Sequence, residues 1–240
     1  MARIECPASL VLHTPACDDR TPADDDVPDV STLDAFEAVY TPCGDGARYS
    51  VETSQLLHEG STRVYRGTLT VDGRRPTHSE VVCKLGRRQA LHREADLYRG
   101  KLAPLQGRYV PTFVGLFDGA TAAEAEAGDD GMSCLVLTYE GDRMQESLYT
   151  RRFFFRKKVV SALLAVHEAG VCHGAFNEAN IVVRDGDIAP LLVGFGGARD
   201  HECHRGTPIE FYAPQPHNEA VGCEEVYWAC IVAAVWLPGV

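Results

Sequence analysis

The clearest periodic signal runs from Arg151 to Gly170, "RRFFFRKKVVSALLAVHEAG". Phe155, Val159, Ala162, Leu163 and Val166 recur there at helical spacing and Gly170 supplies a stop. The pattern predicts a helix of about five turns with one face toward a core. Ahead of it the period changes. From Ser54 to Leu57, and then through "GSTRVYRGTLTVDGRR", apolar and polar positions alternate around Val64, Tyr65, Leu69 and Val71. Gly60, Gly67 and Asp72-Gly73 punctuate them, which reads as antiparallel strands. "EVVCKLG" predicts a third short strand, ending in Lys84. "QALHREADLYRGKL" then puts Leu91, Ala95 and Tyr98 on one helical face, with Pro104 beyond its end. "YVPTFVGLFDG" and "MSCLVLTYEGD" predict two more strands, separated by the acidic, protruding loop "GATAAEAEAGDDG".

Beyond the long helix, "NIVVRDG" and "APLLVGF" read as short strands. A polar stretch with Gly and Pro leads to His217, and a closing helix is predicted from Glu224 to Trp236. The order is that of an α+β chain, with a mostly-β part over 49–141, a mostly-α part over 142–240 and a cleft between them.

Composition adds three restrictions. The 240 residues are 45% hydrophobic, enough for a true core. A net charge of -11, from 23 Lys and Arg against 34 Asp and Glu, gives no general attraction to nucleic acid or anionic membrane. Ten of the acids lie between Met1 and Asp45, against two Arg, so 1–48 is expected to be an acidic N-terminal extension, solvated or loosely docked. The nine cysteines follow no regular spacing and no secretory signal pattern opens the chain, which points to free thiols in an intracellular compartment, cytoplasmic or nuclear. No segment offers the roughly 18 to 20 apolar residues that span a bilayer.

The candidate chemistry lies in "LLAVHEAGVCHGAFNEANIVV" and the "VGFGG" that follows the next apolar strand. Together they resemble the protein kinase family: His173 and Asn180 stand in register with the catalytic loop H-R-D-x-x-x-x-N, with Gly174 in place of its Arg, and "VGFGG" occupies the place of D-F-G. Upstream, "VVCK" is similar to V-A-I-K and offers Lys84. Glu94 in "HREADLY" suits the glutamate that pairs with that lysine, and "EGSTRVYRG" resembles the tail of the Gly-rich loop, with Gly60 and Val64. The resemblance covers about residues 50 to 236. It implies a bilobal kinase-like fold with a mostly-β N-lobe and a mostly-α C-lobe that stops early, as a truncated C-lobe would.

It also implies ATP at Lys84, Glu94, Gly60, Val64 and Asn180, and here the sequence departs from the family. Ala175 occupies the position of the catalytic Asp, and a methyl group accepts no proton. Gly194 occupies the position of the metal-binding Asp, leaving Asn180 as a weak lone ligand and Mg²⁺ poorly provided for. Leu57, Glu59 and Thr62 hold the expected glycine positions of the phosphate loop, and Gly60 is off register. Asp185 and Asp187 sit in a turn that such a fold points away from the cleft, and Glu178 has the context of a cap. His173 is expected to brace the loop, Phe195 and Gly196 to pack the D-F-G-like segment, and Asn180 to brace or to ligate.

Two other features are weaker. His201, Cys203 and His204 in "DHECHRG" match no standard zinc spacing and lack a second ligand pair. Arg151, Arg152, Arg156, Lys157 and Lys158 form a basic stretch whose default is a solvated face. The expectation is therefore a pseudokinase, a binding or scaffolding module for a protein partner. The rival is a weakly active ATP-dependent Ser/Thr protein kinase using Lys84 and Asn180. Neither reading fixes an oligomeric state.

Overall fold

In the computed structural model, residues 9–13, 32–40, 47–119, 131–184, 189–206 and 208–237 are described. The chain divides into two compact units, Met1–Ala95 with Phe113–Tyr139, and Asp96–Thr112 with Glu140–Val240. The fold is mixed α+β, as the order of patterns predicts.

The first unit is built on one curled sheet. Its strands are β1 (Ser9–His13), β2 (Thr32–Tyr40), β3 (Arg48–His58), β4 (Arg63–Val71), β5 (Glu80–Arg87), β6 (Phe113–Gly119) and β7 (Met132–Thr138). They close into a barrel in the order β1-β2-β6-β7-β5-β4-β3. β1 completes the ring by pairing parallel with β3, from Ser9 opposite Arg48 to His13 opposite Glu52. The alternation read in the sequence becomes an inner face of Leu10, Leu12, Tyr49, Val51, Leu69, Val81, Cys83, Leu85, Phe117, Cys134 and Val136. Tyr49 and Phe117 meet edge to face there, 5.2 Å apart. Gly67 permits the close approach of β3 and β4, since a Cβ at that position would come within 2.6 Å of Val51 Cγ1.

Residues 1–48 need a correction. Ser9–His13 and Thr32–Tyr40 are strands of the sheet, and Leu10 and Leu12 are fully buried, so these segments are no solvated arm. "SLVLH" and "TLDAFEAVY" are short apolar-rich segments without a clean period, and the acidic run "CDDRTPADDDVPD" between them dominates the composition. That run lies outside the described residues, as do most of the loop "GATAAEAEAGDDG" and both Asp185 and Asp187.

Helix α1 (Arg88–Arg99) follows β5 and buries Leu91, Ala95 and Tyr98. Its first turns are tied to β6: Arg88 Nε and His92 Nε2 lie 3.2 and 2.8 Å from the Asp118 carboxylate, which also accepts from Ser133 Oγ.

The second unit centres on α2 (Phe153–Glu168), which buries Phe155, Val159, Val160, Ala162, Leu163, Val166 and His167. Gly170, at φ +81°, ends it. Short strands flank the helix in sequence: β8 (Asp142–Arg143), ahead of it, forms one sheet with β10 (Ile181–Arg184) and β11 (Ala189–Leu192), and β9 (Val171–Cys172) pairs with β12 (Arg199–Asp200). Helices α3 (Asn218–Val221) and α4 (Glu224–Val232) complete the unit. The closing helix is shorter than its apolar run suggests. It stops at Val232, Ala234 takes φ 44°, and Val235 and Leu237 turn back to bond the backbone of Tyr212 and Ala213. Among the described residues no helix is long and apolar enough to cross a membrane.

Candidate functional site

The predicted site residues fall in two groups. In the first unit, Lys84 and Val64 are directly opposed on β5 and β4, which puts them on one face of the sheet. Lys84 Nζ donates to Glu94 Oε2 of α1 at 2.6 Å, and Glu94 is almost completely buried. A buried carboxylate needs such a partner, so this pair anchors α1 whatever else it binds. Gly60 lies in the loop between β3 and β4. A Cβ there would touch only the movable His58 ring, so backbone strain does not demand glycine. The turn between β3 and β4 is flanked by side chains at Leu57, Glu59 and Thr62.

In the second unit, His173, Asn177 and Asn180 bond the backbone around them. His173 is fully buried. Its Nε2–H donates to the Val193 carbonyl at 2.9 Å, and its Nδ1 accepts from the Ala175 N–H at 3.3 Å. Both ring nitrogens are therefore committed, and the imidazole has no lone pair left to act as a base. Phe195, 1% exposed, packs between the rings of His173 and Tyr98, at 4.6 and 5.7 Å. Gly196 continues the single turn Phe195–Gly197.

The loop's centre is the Ala175 carbonyl, not a carboxylate. It accepts from Asn177 Nδ2 at 2.9 Å and Asn180 Nδ2 at 2.8 Å. The Asn180 amide is thus spent on bracing, and its oxygen faces Gly194. Gly194 sits at φ +83°, and a Cβ there would lie 2.5 Å from Asn180 Oδ1, so any side chain at this position takes a strained backbone and has to push the Asn180 amide aside. Gly174 is equally constrained, at φ +75° and close against the Gly197 carbonyl. Glu178 Oε1 accepts from the Leu148 N–H at 3.1 Å, in keeping with a capping role.

Sequence reasoning passed over the residue that organises this region. Glu225, in the first turn of α4, accepts from the N–H groups of His173 and Gly174 at 2.9 and 2.7 Å, from His167 Nε2 at 2.6 Å and from Cys172 Sγ at 3.3 Å. Burial works against its ionisation, but those donors outweigh it and hold the carboxyl at about 2. The same contact and burial push the Cys172 thiol up to about 11. One acid beside another in "CEEVYW" carries no signal of this role.

The basic stretch is largely used within the fold. Arg156 donates to the Ala233 and Ala234 carbonyls at 2.8 and 2.7 Å, capping α4, while Lys157 and Lys158 lie over the rings of Phe211 and Phe154. His201 and Cys203 do meet further donors, His167 and Cys223, whereas His204 stands apart from that group.

No family model matches the chain, and no curated protein matches it.

Proposed function

We propose that the chain is a protein kinase-like domain that does not transfer phosphate and serves as a binding or scaffolding module for a protein partner. In this reading the closed-sheet unit plays the part of the N-lobe and the helical unit that of the C-lobe. The observation that carries it is that Gly194 offers no carboxylate and lies against the Asn180 amide. A kinase needs a carboxylate there to hold Mg²⁺ against ATP, and the Asn180 amide nitrogen is bonded to the Ala175 carbonyl. Ala175 removes the proton acceptor as well, and its carbonyl is already shared by two asparagine amides. The Lys84–Glu94 pair agrees with a retained scaffold, because it stabilises α1 without a nucleotide.

The test is a thermal-shift titration of the full chain with ATP, with and without Mg²⁺ or Mn²⁺, each metal alone serving as control. A ligand that binds only the native state raises apparent stability. No rise beyond the metal-alone control is expected, and no autophosphorylation. A rise that needs ATP and metal together, is lost in the double variant Lys84→Met/Glu94→Leu, and comes with phosphoryl transfer would overturn the proposal in favour of a slow Ser/Thr kinase.

A further inference from the structure

Four side chains of the second unit converge beside the region just described, and only His167, through Glu225, also takes part in it. They are His167 at the end of α2, His201 just after β12, Cys203 two residues on, and Cys223 at the N-cap of α4. One donor atom of each lies within 4.8 Å of all the others. Cys223 Sγ is 3.5 Å from His167 Nδ1 and 3.7 Å from His201 Nε2. A tetrahedron with Zn–N near 2.0 and Zn–S near 2.3 Å has edges of roughly 3.3 to 3.8 Å. The two Cys223 separations fall in that range, and the remaining ones, all within 4.8 Å, need at most a small contraction around an ion.

We propose that His167, His201, Cys203 and Cys223 form a structural Zn²⁺ site of the Cys₂His₂ type. Two thiolates and two neutral imidazoles balance the charge of the ion, with two thiol protons released on binding, so the buried site is neutral. The sulfur and nitrogen donors in tetrahedral array select zinc over Mg²⁺ or Ca²⁺.

The surrounding fold is arranged to hold these donors. His167 turns Nδ1 toward the cluster and donates Nε2–H to Glu225 at 2.6 Å, the carboxylate–histidine relation that orients a metal-binding imidazole. The His201 N–H bonds the Gly170 carbonyl at 3.0 Å, fixing that residue against the end of α2. Gly222, at φ +73°, lets the chain at His204 pass so closely that a Cβ would lie 2.6 Å from its carbonyl oxygen, and this brings Cys203 beside Cys223. Arg205 pairs with Glu168 at 3.1 Å and closes the other side. A recess of about 300 Å³ lined by His167, His201 and Cys203 leaves a route from solvent. Four protein ligands leave no open position, so the ion supports folding and not hydrolysis.

Elemental analysis of the full chain, purified under reducing conditions and dialysed, is expected to return one zinc per chain. Replacing it with Co²⁺ should give the intense visible bands of tetrahedral cobalt with thiolate charge transfer. Cys203→Ser and Cys223→Ser should each weaken binding by well over tenfold, Glu225→Gln by about 10- to 100-fold, and His204→Ala should change nothing. Substoichiometric metal, an octahedral cobalt spectrum from the unaltered chain, or binding that survives loss of both cysteines overturns the proposal. A Cys203–Cys223 disulfide in the freshly reduced, metal-supplied protein overturns it equally.

Discussion

The side-chain oxygen of Asn180 lies 2.5 Å from the point where a Cβ on Gly194 would stand. Gly194→Ala is therefore expected to lower the unfolding free energy by about 2 to 4 kcal/mol, through left-handed backbone strain plus overpacking. Urea denaturation measures it, and in a double-mutant cycle with Asn180→Ala the two losses should sum to more than the double variant shows. No improvement at all in that cycle would mean that the amide does not crowd position 194. The same geometry predicts that Ala175→Asp with Gly194→Asp destabilises the fold before it can rebuild a metal site.

Lys84 and Glu94 should behave as a buried pair. Lys84→Ala leaves Glu94 desolvated and unpaired, with an expected cost of about 3 to 5 kcal/mol in nucleotide-free protein. The double variant Lys84→Met/Glu94→Leu should lie much nearer the unaltered chain. Equal losses in the single and double variants, measured by chemical denaturation, would contradict this.

Arg156 joins the middle of the second unit to its last helix by bonding two carbonyls past Val232. Arg156→Ala should cost about 1 to 3 kcal/mol. Arg156→Lys should recover only part of it, because an ammonium lacks the flat fork that reaches both oxygens. Melting curves of the two variants distinguish a lost cap from a merely solvated charge, for which neither would change.

Thiol labelling separates the cysteines by environment. Burial pushes the Cys230 thiol up to about 12 and also raises that of Cys134, which Cys83 assists. In chelator-treated native protein at mildly alkaline pH, iodoacetamide should modify the partly exposed Cys203 well before Cys134 or Cys230. Peptide mapping that finds Cys230 labelled as fast as Cys203 would contradict the described packing.

Much of the architecture was legible because its signals are local. The spacing of Phe155, Val159, Ala162, Leu163 and Val166 marked one helix face, and all of these residues are buried. Alternation marked β4 and the end of β3, and short apolar runs marked β5, β6 and β7. β1 and β2 were hidden because each is short and lacks a clean period, and net composition over 1–48 averages them with a long acidic run. The His167, His201, Cys203 and Cys223 group was invisible for a different reason: its members sit on separate elements, and a spacing rule sees only neighbours in the chain. Glu225 was missed because its role depends on which backbone N–H groups the fold brings to it. Between Val171 and Gly197, the sequence names the residues but not their contacts, since the facing of the Asn180 amide and Gly194 depends on how the chain folds.

The parallel pairing of β1 with β3 has a consequence beyond shape. A sheet that closes on itself presents no bare strand flank to other chains. Removing residues 1–47 would uncover β3 on one side and β6 on the other, each with a row of unpaired N–H and C=O groups. Such a truncated chain would gain the means to associate through its backbone, so the N-terminal strands act as a guard against fibrous self-assembly as much as a part of the core.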